Sequence, residues 1–205
     1  MATTILLESQ KLAIFGGLTQ FEPTGEFKVV NEILFFDLQS GKWQKPSRVY
    51  VESMNDMPTP RMGASMVNYG EKLYIYAGAD PYISGNVYSD FFSFNIKSGL
   101  WHEEQNFSGL ESGDGALLGQ ALRMYNSDAV IFSGGCNTLT KKCSFGATRS
   151  ILFEQPQANF KNSFVDVDEF EHLGRMGHSL IQLGDTAISF GGCALGKQCF
   201  NDILI

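Results

Sequence analysis

The sequence lacks any run of 18 or more apolar residues, and residues 1–10 lack the basic start, apolar centre and cleavage site of a signal peptide. Basic residues are also in deficit: 15 Lys and Arg stand against 22 Asp and Glu, a formal charge of −7. A surface with this excess of negative charge repels phosphate backbones. We therefore expect no membrane insertion and no nucleic-acid partner.

Histidine is scarce, with three residues at positions 102, 172 and 178, and no two of them have the spacing of metal ligands. The sequence has no G-x-S-x-G or H-E-x-x-H motif. We expect His178 to be packed in a strand, and we expect the acidic residues between 166 and 171 to form a solvated loop because they lack the glycine and terminal glutamate of an EF-hand. The sequence therefore predicts no catalytic residue, no metal site and no cofactor.

Glycine and phenylalanine are abundant, with 22 and 17 residues, and no long stretch has the periodicity of an amphipathic helix. This composition favours many short strands joined by tight turns, because aromatic residues are enriched in strands and glycine in turns. The chain is therefore predicted to be all-β.

An apolar strand pattern that ends in small residues occurs four times, in residues 11–17, 72–79, 128–135 and 185–192. Its spacing of 56 to 62 residues is close to the roughly 50 residues of a four-stranded propeller blade. At the end of this pattern the second repeat has Gly78 followed by Ala79, where the other three repeats have two glycines. The glycines that we expect to have structural roles, because a side chain there would clash or be strained, are Gly16, Gly17, Gly78, Gly134, Gly135, Gly191 and Gly192.

Two further patterns keep phase with these glycines. Residues 61–65 (RMGAS) and 175–179 (RMGHS) precede a glycine-ending strand, and residues 31–43 and 89–101 follow one with apolar residues, a Ser-Gly turn and tryptophan. On these motifs the chain resembles the kelch-repeat propellers over nearly all its length. The resemblance implies a kelch-type β-propeller of antiparallel four-stranded blades. We expect Trp43 and Trp101 to fill the wedges between neighbouring blades.

With the strands of a blade named a to d in chain order, the chain is expected to begin in strand b near Lys11 and to end in strand c at Ile205. The expected strand counts of three, four, four and three make two full blades and two partial blades, so residues 1–205 would form an incomplete propeller. Because propellers close with roughly four to eight blades, the remaining blades are expected in the same parent chain or in a neighbouring chain. The blade segments are approximately 5–52, 61–106, 117–166 and 175–205.

Loop length predicts which connections bind a partner, since long loops commonly carry recognition. The longer loops join strand b to strand c, at about 18–30, 80–88, 137–148 and 194–200, and strand d to the next strand a, at 52–60 and 106–115. Kelch propellers generally bind other proteins through this face, so the resemblance implies a protein or peptide partner. The candidate contacts are Arg61, Tyr82, Asn86, Arg123, Arg149 and Arg175, with Phe21, Glu22, Lys141 and Lys142 also on b–c loops. The alternative for each arginine is local packing.

The four cysteines occur as two pairs in matching b–c loops, Cys136 with Cys143 and Cys193 with Cys199. Three interpretations remain open: free thiols, two disulfides that each close one loop, or a four-cysteine metal site between adjacent blades. The C-x6-C and C-x5-C spacings are longer than the usual zinc knuckle. Any disulfides are expected to form within each loop.

The sequence is thus interpreted as a protein-interaction scaffold, not an enzyme, and a cytoplasmic location is expected. The main alternative is an extracellular or surface kelch module whose loops are clipped by disulfides. A weaker alternative is a propeller enzyme whose catalytic residues lie outside this segment.

Overall fold

The computed structural model shows strands and no helix among the residues that it describes, which confirms the all-β prediction. The chain divides into two compact units, of which unit 1 is residues 1–86 with 90–104 and unit 2 is residues 87–89 with 105–205. The described residues are 2–21, 24–47, 49–51, 56–80, 86–104, 119, 121–124, 129–137, 142–143, 149–154, 157–159, 174–183, 186–196 and 199–205.

The first two repeats form two antiparallel four-stranded sheets. The strands are β1 (Thr3–Leu6), β2 (Lys11–Phe15), β3 (Leu18–Phe21), β4 (Glu26–Val29), β5 (Ile33–Asp37), β6 (Lys42–Gln44), β7 (Ser65–Tyr69), β8 (Lys72–Tyr76), β9 (Ala79–Asp80), β10 (Asn86–Val87), β11 (Phe91–Asn95) and β12 (Trp101–Glu103). The first sheet has the order β1-β2-β5-β6 and the second the order β7-β8-β11-β12, so both run from strand a to strand d. Phe15 pairs with Ile33 and Tyr76 with Phe91, which places the two repeats in the same register.

The core of unit 1 joins side chains from both sheets. Along β2 the side chains alternate, so that Ala13 and Phe15 are buried while their neighbours are half-buried. Leu73, Ile75 and Phe94 from the second sheet belong to the same buried cluster. Each fully buried side chain of this size stabilises the fold by about 1.5–3 kcal/mol, so the cluster is the main stabilising element of the unit.

In the first two repeats, the turns between strands c and d have the same hydrogen-bonding pattern. Asp37 Oδ1 accepts from the backbone N–H groups of Gln39 and Ser40, and Asn95 Oδ1 accepts from those of Lys97 and Ser98. The backbone N–H of Ser40 is the main reason that the pKa of Asp37 is lowered. A short polar side chain that accepts hydrogen bonds from the backbone N–H groups two and three residues ahead favours a tight turn. This turn keeps strands c and d adjacent.

Unit 2 contains a four-stranded sheet of order β13-β14-β17-β18 and a three-stranded sheet of order β19-β20-β21, both antiparallel. These sheets are the third and fourth repeats. The strands after β12 are β13 (Ala121–Met124), β14 (Ala129–Ser133), β15 (Cys136–Asn137), β16 (Lys142–Cys143), β17 (Arg149–Glu154), β18 (Gln157–Asn159), β19 (Ser179–Leu183), β20 (Thr186–Phe190) and β21 (Ile203–Leu204).

The first repeat differs from the expected count, because it has four strands and begins at β1, not at strand b. Thr3 pairs with Phe15 and Leu6 with Leu12, so the short Thr-Thr-Ile-Leu segment completes the sheet. Three β-branched residues in four favour an extended strand, but a segment of this length has no alternation strong enough to predict one. Three repeats are therefore four-stranded and the fourth is three-stranded.

The two tryptophans have different environments. Trp101 is 2% exposed and packs against Phe15 of the preceding repeat with ring centroids 5.8 Å apart, as expected for a residue between blades. Trp43 is 60% exposed, so the prediction that it fills such a wedge is wrong for this residue. The physical reason is that Trp43 packs on Phe36 of its own repeat, whereas Trp101 is also covered by Phe15 of a neighbouring repeat.

Candidate functional site

The connections between strands b and c form small paired segments outside the blade sheets. β3 pairs with β4, β9 with β10 and β15 with β16, and in the fourth repeat Cys193 forms a bridge with Cys199. Each segment begins directly after the glycine-containing end of strand b. The same supplementary hairpin is therefore placed at the same point of successive repeats.

A pair of residues with positive φ makes this departure from strand b possible. The φ angles are 65° and 99° at Gly16 and Gly17, and 63° and 96° at Gly134 and Gly135. A Cβ on Gly16 would lie 2.5 Å from the carbonyl oxygen of Arg61, the first residue of the next repeat's RMG motif. Glycine at position 16 therefore avoids both the strain of this conformation and an overlap with the next repeat.

The equivalent pair in the second repeat is Ala77 and Gly78, not Gly78 and Ala79 as expected. Ala77 has a φ of 58° and Gly78 one of 98°, which matches the other pairs, including 70° and 86° at Gly191 and Gly192. The backbone N–H of Ala77 donates to Asp90 O, as that of Gly191 donates to Asp202 O. The prediction that Gly78 is equivalent to Gly16 is wrong by one position, because a sequence pattern of small residues does not reveal which of them has positive φ.

Arg61 holds two repeats together and is buried, with 0% of its surface exposed. Its backbone carbonyl accepts from Gly17 N at 2.8 Å, which links it to the preceding repeat. Its guanidinium donates to Ala77 O at 3.0 Å and forms a two-pronged pair with the Asp90 carboxylate. This burial contradicts the prediction that Arg61 contacts a partner, and local packing accounts for it.

Arg175 has the same position and role in unit 2. It is 1% exposed, its backbone carbonyl accepts from Gly135 N at 2.7 Å, and its guanidinium donates to Gly191 O at 2.9 Å and to both Asp202 oxygens. Hydrogen bonding from Arg175 holds the pKa of Asp202 below its usual range. The predicted partner contact at Arg175 is therefore also wrong, because a buried, paired guanidinium is not available to a partner.

The remaining residues that were predicted to contact a partner lie in hairpins, in blade strands or outside the described residues. Asn86 is exposed at the start of β10. Arg123 lies in β13, the strand a of the third repeat, near whose start it was expected. Arg149 begins β17 opposite Phe132, so it lies on a blade strand and not in the b–c loop where it was expected. Tyr82, Glu22 and Lys141 lie outside the described residues, as do loop residues 52–55 and 105–118.

The four cysteines form two disulfides, Cys136–Cys143 and Cys193–Cys199, with S–S distances of 2.01 and 2.07 Å. Cys136 is fully buried, and Cys143 is its direct partner in the β15–β16 ladder. The backbone N–H of Leu195 donates to Cys143 Sγ at 3.5 Å, which joins the two clipped loops. Oxidised in this way, the sulfur atoms are not the thiolates that a metal site would need.

Phe27 is an exposed aromatic residue that sequence reasoning missed. It lies in β4 opposite Gln20, is 61% exposed, and stands between the exposed side chains of Glu26 and Lys28. In the sequence, Phe27 is marked only by its position between the charged residues Glu26 and Lys28 within the first b–c loop. A large apolar side chain held on a paired segment is suited to contact with another molecule.

His178 is buried in the RMGHS segment, with 8% of its surface exposed. Burial, and then the positive charge of Arg175, lower its pKa from 6.5 to about 4. The imidazole is therefore neutral near pH 7 and acts as a packed residue. Within the described part of the chain, no cluster of three or more His, Cys, Asp or Glu residues has the arrangement of a metal site, and no helix is long and apolar enough to cross a membrane.

Antiparallel sheets of four strands, joined by glycine turns and extended by b–c hairpins, define the class of this protein as a kelch-type β-propeller module. A family described as the KLHDC2/KLHL20/DRC7 Kelch-repeats domain matches residues 1–192. The chain belongs to this kelch-repeat family, whose domains are typically parts of larger propellers and serve as protein-interaction modules that are generally not enzymes. No curated protein matches the chain significantly.

Proposed function

We propose that the chain is a scaffold module that binds a protein or peptide partner through the connections between strands b and c and between strands d and a. The observation that carries the proposal is the repeated hairpin after strand b, which lies outside the sheets that stabilise the fold. Val29, Ala79 and Cys136 at the bases of these hairpins are buried, whereas the outer residues of a hairpin are free to vary while rigid sheets hold the segment in place.

Two features prepare these connections for binding. The glycine turns and the disulfides fix the path of the backbone, so less conformational entropy is lost when a partner binds. In unit 1, Phe27 offers an apolar anchor, while Glu26 and Lys28 offer one charge of each sign beside it. This arrangement fits an extended peptide or loop that presents an apolar side chain next to a polar backbone.

The test compares two substitutions of exposed apolar residues in unit 1. Phe27→Asp places a charge on the b–c hairpin, and Leu38→Asp places the same charge on a c–d turn, where the side chain is 47% exposed. Partners cross-linked to the chain in an extract of its native source are identified by mass spectrometry, purified, and titrated against both variants.

Loss of a well-packed aromatic anchor costs about 1.4 kcal/mol or more, so Phe27→Asp should weaken binding at least tenfold. Leu38→Asp should leave the affinity unchanged. Equal affinities of the two variants for the purified partner would contradict binding through this hairpin, and stronger loss with Leu38→Asp would assign binding to the opposite turns.

The disulfides favour a second candidate, a kelch module on the cell surface or outside the cell. Disulfides persist in oxidising compartments and are rare in the cytosol. Mapping of the cysteines by mass spectrometry, without reduction and on protein from its native source, separates the candidates. Two intra-loop bridges support the surface module, and four alkylatable thiols support the cytoplasmic scaffold.

A further inference from the structure

The Cys136–Cys143 bridge closes the β15–β16 hairpin where the third repeat meets the fourth. Gly135, directly before Cys136, donates its backbone N–H to the carbonyl oxygen of Arg175 at 2.7 Å. At the other end of the hairpin, a Cβ on Gly174 would overlap the carbonyl oxygen of Cys143, so these two residues are in close contact. Both ends of the hairpin therefore lie against residues 174–175 of the next repeat.

The sulfur of Cys143 also contacts the b–c loop of the fourth repeat. The backbone N–H of Leu195 donates to Cys143 Sγ at 3.5 Å. Leu195 lies two residues after Cys193, whose own bridge to Cys199 closes the fourth-repeat loop. The two clipped loops therefore meet at one sulfur atom, and that atom belongs to a bond that reduction can open.

The two ends of the fourth-repeat loop have backbone partners of their own. The backbone N–H of Cys193 donates to Met176 O, and its carbonyl oxygen accepts from Met176 N, both at 2.9 Å. Phe200 N donates to Gly192 O at 2.8 Å. The hydrogen bond that joins residues 194–196, between these ends, to the third repeat is the one from Leu195 to Cys143. This middle segment is therefore the part of the loop that depends on the position of Cys143.

We propose that the Cys136–Cys143 bridge is a redox switch that sets the conformation of two neighbouring b–c loops, its own and that of the fourth repeat. While the bridge is closed, Cys143 Sγ is held where the N–H of Leu195 bonds to it. When the bridge is open, Cys143 is released from Cys136 and residues 194–196 lose this fixed partner. The consequence for binding rests on the proposed function of these loops: a partner that contacts both meets one shape when they are oxidised and several when they are reduced.

The opening step is thiol–disulfide exchange with a dithiol reductant. Cys136 is fully buried and Cys143 half-buried, so a thiolate of the reductant attacks Cys143 Sγ. The S–S bond breaks with its electron pair on Cys136 Sγ, which takes up a proton. The second sulfur of the reductant then attacks the first in the mixed disulfide, and Cys143 leaves as a thiolate that is protonated in turn. The reductant is oxidised to a disulfide and the cysteine pair gains two electrons.

Amide hydrogen exchange of the whole chain tests the switch without a partner. Cys136→Ala with Cys143→Ala removes the bridge and the acceptor sulfur, so the amides of residues 194–196 should exchange roughly fivefold faster than in the wild type, or more. The matched control, Cys193→Ala with Cys199→Ala, should speed exchange in its own loop and leave that of β15–β16 unchanged. Mass mapping without reduction shows that each variant keeps its other bridge, and far-UV circular dichroism shows that it keeps its sheets.

A second measurement keeps Cys136 and Cys143 in place, so it does not depend on the folding of the first variant. In the Cys193→Ala, Cys199→Ala chain the Cys136–Cys143 bridge alone is reducible, and dithiothreitol should raise the exchange of residues 194–196 in proportion to the fraction of bridge that alkylation shows to be open. Unchanged exchange of residues 194–196 in either experiment would overturn the proposal. Because neither experiment uses a partner, this result is independent of the Phe27→Asp titration that tests binding by the loops.

Discussion

Ala77 has a φ of 58°, a conformation that glycine provides at the equivalent position of the other three repeats. An L-residue in this region costs about 1–2 kcal/mol, and the second repeat tolerates that cost because its core is well packed. Ala77 O also accepts from the buried guanidinium of Arg61, which holds the backbone in place. Positive φ alone is therefore not what forbids a side chain at this position of a repeat.

Gly16 and Gly41 separate conformational strain from steric overlap. Their φ angles are 65° and 64°, but a Cβ on Gly16 would meet Arg61 O at 2.5 Å, whereas one on Gly41 would have nothing within 4 Å. Gly41→Ala should lower the free energy of unfolding by about 1 kcal/mol, and Gly16→Ala by about 2–4 kcal/mol because the next repeat must shift. Urea denaturation measures both, and equal losses would show that the close approach to Arg61 has no energetic weight.

His178 should make the stability of the fold depend on pH. Its pKa is about 4 in the folded state against 6.5 for an exposed histidine, so the folded state disfavours the charged imidazolium. The contribution is fully present above pH 6.5 and is lost as the pH falls toward 4, by an amount on the order of 3 kcal/mol. Urea denaturation of wild type and His178→Gln between pH 7 and 4 should show a shallower loss in the variant. Identical slopes in the wild type and the variant would refute the assignment.

At the scale of elements, most strands were predictable because alternation and turn residues recur in phase. Residues 31–43 and 89–101 each encode a strand, an Asx turn and the next strand within one local segment. β1 was missed because its pairing depends on β2 and not on its own pattern. Local packing was the alternative interpretation of Arg61 and Arg175, but their carboxylate partners were not predictable, since Asp90 and Asp202 lie 29 and 27 residues away and no local pattern links them.

The disulfide hairpin β15–β16 allows a test of loop clipping. The bridge joins residues separated by 7 positions, and closing so short a loop stabilises by about 2–3 kcal/mol in the chain-entropy estimate. The double substitution Cys136→Ser with Cys143→Ser should lower the urea midpoint accordingly, and the sheets should still form. Reductant should lower the wild-type midpoint further than it lowers that of the variant, which keeps only the Cys193–Cys199 bridge. An unchanged urea midpoint in the double variant would contradict the predicted stabilisation by the bridge.

At the scale of the whole molecule, the repeats share their backbone plan while their side chains differ in exposure. Trp43 and Trp101, or Phe15 and Phe190, are equivalent in sequence and register but differ by half of their surface or more. A sequence shows which residue type a position has but not which neighbouring side chain covers it. The kelch-type fold was therefore predictable from the pattern, whereas the exposure of Phe27 on the first b–c hairpin was not.

All four cysteines lie after residue 104, so unit 1 has none. During synthesis unit 1 leaves the ribosome first, and its β-sheets reach their final covalent form without any oxidant. The two disulfides of unit 2 form only where its thiols are oxidised, a step that takes seconds to hours and depends on the oxidant and isomerase present. The covalent form of unit 1 is thus complete once its chain is made, while that of unit 2 also depends on the redox conditions that its four cysteines meet.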